Sequence, residues 1–427
     1  MSGFFQGNRA RLAASVPPNG LIVLIAGEPE PARGDEFYPF APKRNFYYTT
    51  HIDTPFAALT IFKPPVGEPR ETLFIRDIDP ERAKWTDDFI GLALATEISG
   101  VRDVRPLGGL SEHIARMIFT DGADTVWMDL ENRSLSGDTD ETRLARKIRR
   151  AFPAVRIADL YGAFASLRRV KHPYEVRMIR HAAAITAEGF DMVLRGLAPG
   201  ETESEARARF LYACARRGAG LAFSVIAAAG ENAVVLHYSR CSGHARAGDL
   251  LLLDAGASYA WYSSDVSRTY PVGGKFSKRQ RELYELVLAG QAAVISAAKP
   301  GVPFARLNET LLEHYAREFP RVGLDASKSG IREVYYHNVS HAIGLETHDA
   351  GRGREGALEP GMVVTAEPGI YIESEGIGIR IEDDILITDT GAEVLTAAIP
   401  KDPDEIERIM KEFCGFRQNS PKEFCGF

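Results

Sequence analysis

The stretch LLLDAGASYAWYSSDVSRTY, residues 251–270, is typical of a β-hairpin, and it carries two aspartates, Asp254 and Asp265. A turn centred on Tyr259 and Ala260 predicts that the two carboxylates face each other directly across the strands. Tyr-Ala is a poor two-residue turn and Gly256 favours a bulge, so a register slipped by one is an alternative. Another alternative is that both carboxylates are solvated at the edge of a sheet, but the apolar residues on either side of them favour burial. Buried acids need cations.

The chain beyond residue 168 contains two similar halves. GDLLLLDAG (residues 248–256) is matched by GMVVTAEPG (residues 361–369), which makes Asp254 and Glu367 counterparts. Pro-Gly occurs at 199–200 and again at 300–301, and capping boxes are predicted at Thr202-x-x-Glu205 and Ser277-x-x-Gln280. We expect an internal duplication, with chance recurrence in an α/β protein as the alternative.

Another acidic stretch is GIGIRIEDDILIT, residues 376–388. Period-two alternation places Arg380 and Glu382 on one face of a strand, with isoleucines on the other. Taken alone, this arrangement could be a structural ion pair.

Histidines are concentrated in YYHNVSHAIGLETHDAG, residues 335–351, which contains His337, His341 and His348. His237 lies upstream in AVVLHYSRC. A lone histidine is usually structural, but this concentration predicts a functional cluster.

Strand carboxylates accompanied by a histidine nitrogen predict a divalent metal centre. Structural zinc sites prefer cysteine and histidine, whereas carboxylate-rich sites suit Mn²⁺, Co²⁺, Fe²⁺ or Mg²⁺. Four acids exceed the need of one ion. We therefore expect two ions, about 3.5 Å apart, with bridging carboxylates.

The length of 427 residues allows two domains, each with its own core. Alternating β-rich and helical runs predict an N-terminal α/β domain over residues 1–168. The long amphipathic helix starting at Pro173 opens a second domain, residues 169–405, and a tail covers residues 406–427. The tail contains KEFCGF twice, as a local tandem copy or an artefact, and we assign it no function.

The formal net charge of −7 argues against a nucleic-acid partner. No apolar run reaches the roughly 20 residues that span a bilayer, and the N-terminus lacks the features of a signal peptide. The four cysteines form neither a disulfide framework nor a metal clip. A cytoplasmic location without membrane contact is expected.

These motifs together resemble the creatinase/aminopeptidase P/prolidase superfamily, the pita-bread metallopeptidases, over about residues 168–400. The motifs that carry the resemblance are DAG…D, SHAIGLETHD, TAEPG and GIRIEDD. FYPFAPKRNFYYTTHIDTPFAALTI (residues 37–61) is similar to the N-terminal domain of aminopeptidase P. The implied fold class is α/β (α+β), with an N-terminal α/β domain followed by a pita-bread domain duplicated about a pseudo-twofold axis.

The resemblance implies two divalent ions per chain, with Mn²⁺ favoured and Co²⁺ or Zn²⁺ as alternatives. It implies a ligand set of Asp254, Asp265, His341, Glu367 and Glu382, in which Asp265 and Glu382 bridge the ions. Glu367 would also relay a proton. The residues implied to bind substrate are His237, His337, His348 and Arg380. Of these, His237 and His348 would also be catalytic, by contacting the scissile carbonyl oxygen.

The implied activity is hydrolysis of the bond between an N-terminal residue and a following proline, by a hydroxide held between the two metals. Xaa-Pro dipeptidase (prolidase) activity and a non-catalytic pita-bread binding protein are the alternatives. Methionine aminopeptidase is disfavoured because it lacks a large N-terminal domain. The implied partners are peptides with proline in second position and further copies of the chain, as a homodimer or homotetramer. The short connection between Glu367 and Glu382 leaves the rim of the pocket undetermined.

Overall fold

The computed structural model describes residues 2–86, 89–131, 137–349 and 356–418. The chain divides into two compact units, Met1–Leu167 and Arg168–Phe427. The second copy of KEFCGF lies outside the described residues, and the start of the predicted tail lies within a helix, Pro403–Gln418. Among the described residues, no helix is both long enough and apolar enough to cross a membrane. The predicted domain boundaries, after residues 168 and 405, stay predictions.

The first unit is built around one mixed sheet with the strand order β6-β5-β4-β1-β7-β8. Strand β1 is buried along its length because GLIVLI is continuously apolar, as expected for a central strand covered on both faces. The strands are β1 (Gly20–Ile25), β2 (Pro31–Arg33), β3 (Glu36–Phe37), β4 (Ala58–Phe62), β5 (Arg70–Ile75), β6 (Val104–Pro106), β7 (Thr125–Met128) and β8 (Arg156–Asp159). The helices are α1 (Ser2–Ala14), α2 (Arg44–Thr50), α3 (Leu92–Ser99), α4 (Leu110–Phe119), α5 (Asp140–Ala151) and α6 (Tyr161–Arg169).

The second unit packs helices against several small antiparallel sheets around one large apolar core. Its helices are α7 (Pro173–Gly196), α8 (Glu203–Arg216), α9 (Lys278–Ala297), α10 (Ala305–Glu318), α11 (Lys328–Val334) and α12 (Pro403–Gln418). Its strands are β9 (Gly220–Leu221), β10 (Ile226–Ala229), β11 (Leu250–Ala255), β12 (Ala257–Tyr259), β13 (Tyr262–Ser263), β14 (Val266–Pro271), β15 (Val363–Ala366), β16 (Gly369–Ile372), β17 (Ile377–Arg380), β18 (Asp383–Ile387) and β19 (Ala392–Val394).

The helix starts of this unit follow the local sequence signals. Pro173 occupies the first turn of α7, where its missing N–H costs no helical hydrogen bond. Both predicted capping boxes are present, at Thr202 with Glu205 and at Ser277 with Gln280. Each satisfies two backbone N–H groups that the helix leaves without a partner.

The two halves of the second unit repeat the same local structure. Gly248 before β11 and Gly361 before β15 have φ angles of 90° and 89°, which glycine adopts without strain. Their N–H groups donate to the carbonyls of Val272 and Ile387, at 3.0 and 2.8 Å. Each glycine thereby fixes a strand that leads to an acid six positions later, Asp254 in one half and Glu367 in the other. The predicted internal duplication is confirmed.

Candidate metal centre

The hairpin that carries the two aspartates has a different register from the predicted one. Asp254 pairs with Ser267, and the turn residues are Ala260 and Trp261, with φ angles of 48° and 65°. Positive φ at both central residues matches the twist of a tight hairpin. The prediction that Asp254 directly faces Asp265 is therefore wrong. Asp265 lies diagonally opposite Asp254 instead, two residues before Ser267. It is on the same face of the hairpin and within reach of the same ion.

Gly256 sets this register. A Cβ at this position would lie 1.7 Å from the carbonyl oxygen of Ser264 on the other side of the hairpin, so only glycine allows the backbones to approach so closely. The pairing keeps one register on both sides of Gly256. The predicted bulge is replaced by a point where the hairpin passes from one sheet to the next.

His341 is brought to the two aspartates by backbone pairing with the strand β15. Its N–H donates to Thr365 Oγ1 at 3.0 Å, and its carbonyl accepts from Thr365 N at 2.9 Å. The ring Nδ1 lies 3.1 Å from the carbonyl of Ala342, so it carries the proton and leaves Nε2 as an electron-pair donor. Nε2 lies 3.4 Å from a carboxylate oxygen of Asp265 and 3.4 Å from one of Glu367.

The two glutamates come from the ends of neighbouring strands in the second half. Glu367 follows β15, and its Oε1 accepts from Thr365 Oγ1 at 3.1 Å. Glu382 lies between β17 and β18, where its backbone N–H donates to the carbonyl of Ser267 at 3.0 Å. Asp265, His341 and Glu382 each offer a ligand atom within 4.8 Å of the others. This spacing is compatible with direct coordination of a shared ion.

Arg380 organises the carboxylates from behind. Its side chain is 5% exposed and donates to Asp254 Oδ2 at 2.6 Å, to Ser267 Oγ at 2.7 Å and to the Tyr371 hydroxyl at 2.9 Å. Ser267 Oγ in turn donates to Glu382 Oε2 at 2.7 Å. Arg380 thus orients candidate ligand side chains on both halves of the duplicated unit.

The electrostatics of the site call for a cation. Burial raises the pKa of Asp265 well above its usual range, and the carboxylates of Asp254 and Asp384 raise it further. Burial likewise raises the pKa of Glu382, and the charges of Asp265 and Glu367 add to the effect. Arg380 opposes both shifts without removing them. A divalent cation would relieve this repulsion and restore the ionised forms.

The two carboxylate oxygens of Asp254 differ in their surroundings. Asp254 Oδ1 is buried and has no hydrogen-bond partner among the described residues, whereas Oδ2 is held by Arg380. A buried carboxylate oxygen without a partner is costly. A metal ligated by Oδ1 would satisfy it. The donor set, carboxylates with one imidazole, suits Mn²⁺, Co²⁺ or Fe²⁺. Structural zinc sites are built mainly from cysteine and histidine instead.

The remaining predicted histidines differ in their surroundings. His337 Nε2 lies 2.9 Å from the Tyr371 hydroxyl, and Nδ1 lies 3.6 Å from Glu367. Burial lowers the pKa of His337, which favours a neutral ring. The ring of His348 packs edge-on against that of His341, with centroids 4.4 Å apart. His237 is exposed on the loop after a 3₁₀ turn, Gly230–Val234.

Several residues that position the candidate ligands were not predicted from the sequence. Ser267 and Tyr371 complete the network around Arg380. Gln291 is fully buried, and its amide donates to the carbonyls of Ala366 and Ile381 at 3.1 and 3.0 Å, just before the two glutamates. A polar residue within the apolar face of α9 was the available sequence signal.

Asp384 is a further residue of this kind. It is fully buried, accepts from Ser264 Oγ at 2.8 Å and accepts the backbone N–H of Asp265 at 3.2 Å. It thereby fixes the backbone from which the Asp265 carboxylate projects. The acidic run after Glu382 was the sequence signal for this residue.

Comparisons with known proteins identify the family of the chain. Residues 177–389 match the model of metallopeptidase family M24, and residues 5–127 match the N-terminal domain of aminopeptidase P. A Xaa-Pro aminopeptidase of Haemophilus influenzae is 31% identical over 425 residues, covering 95% of this chain and 96% of that protein.

Solved structures give the same result for the fold. The structure of Escherichia coli aminopeptidase P with the inhibitor Pro-Leu has a TM-score of 0.89 at 30% identity, covering 97% of this chain and 99% of that one. A Bacillus anthracis structure described as a candidate aminopeptidase P has a TM-score of 0.94 at 38% identity, covering 96% and 98%. The predicted fold class is confirmed. The chain therefore belongs to metallopeptidase family M24, within the aminopeptidase P group.

Proposed function

We propose that this chain is a metal-dependent Xaa-Pro aminopeptidase, which hydrolyses the bond between the first residue of a peptide and a proline in second position. The observation that carries the proposal is the convergence of Asp265, His341 and Glu382 within ligand distance, in a chain that matches Xaa-Pro aminopeptidases over nearly its whole length. A proline nitrogen in a peptide bond has no N–H, so this bond calls for a dedicated hydrolase.

The metal site comprises two divalent ions, for which Mn²⁺ is our first choice and Co²⁺ or Zn²⁺ are alternatives. The five ligands are Asp254, Asp265, His341, Glu367 and Glu382. Asp265 and Glu382 would be shared by the two ions; both are buried, and burial together with neighbouring carboxylates raises the pKa of each. When bound, the ions supply a water of lowered pKa and polarise the scissile carbonyl.

The protein side chains perform the proton transfers and the positioning. Glu367 accepts a proton from the attacking water and returns it to the leaving proline nitrogen. Its side chain is 15% exposed and can therefore reach a substrate, whereas the side chain of Glu382 is buried. His237 and His348, both exposed, donate to the carbonyl oxygen as negative charge develops on it.

His337 holds Glu367 in place at Oε2, whereas His341 lies next to Oε1. Because Arg380 donates to the Tyr371 hydroxyl, that hydroxyl donates its own proton to His337 Nε2. The Nδ1 proton of His337 is then shared between the carbonyl of Asn338, at 2.9 Å, and Glu367. We place His337 in the substrate subsite next to Glu367. All three nitrogens of Arg380 are used within the site, on Asp254, Ser267 and Tyr371, so its contribution to substrate binding acts through these residues.

Prolidase activity is the main rival, because it uses the same ligands and chemistry. The match of residues 5–127 to the aminopeptidase P N-terminal domain supports the aminopeptidase. A non-catalytic binding protein would be expected to have lost ligands, and the full set is present in this sequence. The homodimer or homotetramer and the cytoplasmic location stay predictions.

A substrate panel tests the proposal. Purified full-length protein, loaded with Mn²⁺, is incubated with Xaa-Pro dipeptides, Xaa-Pro-Xaa tripeptides and matched tripeptides in which alanine replaces proline. We expect release of the first residue from the proline tripeptides and little turnover of the alanine series. Turnover confined to the dipeptides would make the protein a prolidase. Elemental analysis of the loaded protein gives the metal count, and full activity at one ion per chain would exclude the dinuclear site.

A further inference from the structure

We propose that three buried charged residues, Arg168, Lys171 and Asp349, position the imidazoles of His341 and His348. We call these three residues the Asp349 clamp. The inference rests on the proposed function for the reaction that the two imidazoles serve. Its structural part, the orientation of His341 toward the ligand carboxylates, holds for any substrate.

The clamp is almost completely removed from solvent. The side chains of Arg168, Lys171 and Asp349 are 2%, 1% and 1% exposed. Lys171 Nζ lies 3.0 Å from Asp349 Oδ2, and Arg168 donates to Asp349 Oδ1 and, at 3.0 Å, to Glu346. Although burial acts in the other direction, the two cations hold the pKa of Asp349 below its usual value. The clamp therefore contains a true carboxylate with a cation on each oxygen.

The clamp is connected to His341 through one carbonyl group. The backbone N–H of Asp349 donates to the carbonyl of Ala342 at 2.9 Å. The same oxygen accepts from His341 Nδ1 at 3.1 Å. Asp349 therefore fixes the acceptor that selects the tautomer of His341 and aims Nε2 at Asp265 and Glu367. His348 directly precedes Asp349, and its ring stands at 89° to that of His341.

Gly344 shows how closely the loop closes on the clamp. A Cβ on Gly344 would lie 2.3 Å from Asp349 Oδ2 and 3.1 Å from Lys171 Cε. The carbonyl of Gly344 accepts from Ser263 N at 2.8 Å, which attaches the loop to the hairpin that carries Asp265. An alanine here would displace the clamp without changing any charge.

Stability alone is a weak explanation for such a cluster. Buried ion pairs often contribute little net stability compared with apolar side chains of the same volume, because the desolvation cost offsets the attraction. Rigid charged contacts do restrict geometry. Through the Ala342 carbonyl, this restriction acts on His341 in the candidate metal centre.

The test compares Lys171→Met and Gly344→Ala with the parent protein, all as full-length chains. Calorimetric titration of the metal-free proteins with MnCl₂ gives the Mn²⁺ affinity, and a proline tripeptide gives kcat and KM. Both variants should lose roughly 10- to 100-fold in Mn²⁺ affinity. At saturating Mn²⁺, kcat should fall while KM changes little, because the groups that are misplaced act on the reacting carbonyl.

A spectroscopic readout separates positioning from general damage. Nitrogen-15 labelling of histidine in the metal-free parent should show a hydrogen-bonded Nδ1 proton on His341, assigned by the signal lost in a His341→Gln protein. Lys171→Met and Gly344→Ala should weaken this hydrogen bond, seen as a shifted Nδ1–H signal that exchanges faster with water.

Arg209→Met is the matched control, since Arg209 contacts the buried carboxylate of Glu201 at the start of α8. It should lower the melting temperature but leave Mn²⁺ affinity, kcat and the His341 signal unchanged. If Lys171→Met and Gly344→Ala behave like this control, the positioning role is refuted. A parent protein that cleaves no proline peptide would overturn the proposed function instead, while the Mn²⁺ affinities and the His341 signal would still decide the role of the clamp.

Discussion

Replacing Glu175 by glutamine should remove a pH dependence from the stability of the second unit. Glu175 is 2% exposed near the start of α7. Its Oε2 accepts the N–H of His172 at 2.9 Å, and its Oε1 accepts the Tyr262 hydroxyl at 3.2 Å. Burial raises the pKa of Glu175 from 4.5 to about 7, and the charge of Asp349 adds to the rise. These two hydrogen bonds and Lys171 oppose the rise without cancelling it.

The sign of the effect follows from proton binding. Between pH 4.5 and about 7, the folded chain holds the Glu175 proton and the unfolded chain releases it, so stability falls as the pH rises. Each pKa unit corresponds to about 1.4 kcal/mol, which gives a loss on the order of 3 kcal/mol at pH 8. Glutamine cannot ionise, and it keeps both contacts by accepting from His172 and donating to the Tyr262 oxygen. The stability of Glu175→Gln relative to the parent should therefore increase by most of this amount, about 2.5 kcal/mol, from pH 5 to pH 8.

The assay is urea unfolding followed by tryptophan fluorescence. The chain has three tryptophans, and Trp261 is the one in the second unit, so a Trp85→Phe/Trp127→Phe background reports on that unit. The protein is kept metal-free, because a ligand that binds the folded state adds its own pH dependence. Glu205→Gln is the matched control.

Glu205 has the same capping position on α8, but it is exposed and its hydrogen bonds with Thr202 lower its pKa. The stability of Glu205→Gln relative to the parent should therefore show no such rise above pH 5. A difference between Glu175→Gln and the parent that stays constant within about 0.5 kcal/mol from pH 5 to 8 would show that Glu175 ionises normally.

Three further substitutions test the metal centre. Glu367→Gln should lower kcat by a factor on the order of 10² to 10⁴ in a folded protein, because the amide cannot accept and return a proton; activity within a few-fold of the parent at equal metal content would remove Glu367 from the mechanism. Ser267→Ala should weaken Mn²⁺ binding roughly tenfold by releasing Glu382, as measured by calorimetry, and an unchanged affinity would contradict the network. Gly256→Ala should prevent folding of the hairpin, seen as lost expression or a reduced melting temperature, whereas Gly220→Ala, where a Cβ meets nothing within 4 Å, should be tolerated.

Local signals in the sequence predicted the features that depend on neighbouring residues. The start of α7 at Pro173 and the capping boxes of α8 and α9 follow from contacts within four positions. The duplication was visible because both halves need glycine at positive φ before the strand that leads to the acid. These features could be read without knowing any tertiary contact.

The hairpin register could not be predicted in the same way. Alternation fixed the face shared by Asp254 and Asp265, but the choice between neighbouring turn centres depends on where two backbones can touch. That place is Gly256, whose role becomes visible only when Ser264 lies against it. The metal prediction did not depend on this choice, because diagonal residues on one face can reach the same ion as directly opposed ones.

The run Glu382-Asp383-Asp384 shows why the positioning residues were missed. Although burial acts against it, Arg268 and Lys401 hold the pKa of Asp383 below its usual value, and the residue ties β18 to the core as a structural anion. Burial raises the pKa of Asp384 to about 7, and its contacts are the hydroxyl of Ser264 and the backbone N–H of Asp265.

Glu382 shares its surroundings with other carboxylates and with Arg380. The three acids therefore have three different roles, although they are adjacent in sequence and all buried. Each role is set by the cation or donor that another strand brings to it. The resemblance to the family singled out Glu382 as the candidate ligand, but the physical difference between the three acids lies in partners that only the folded chain supplies.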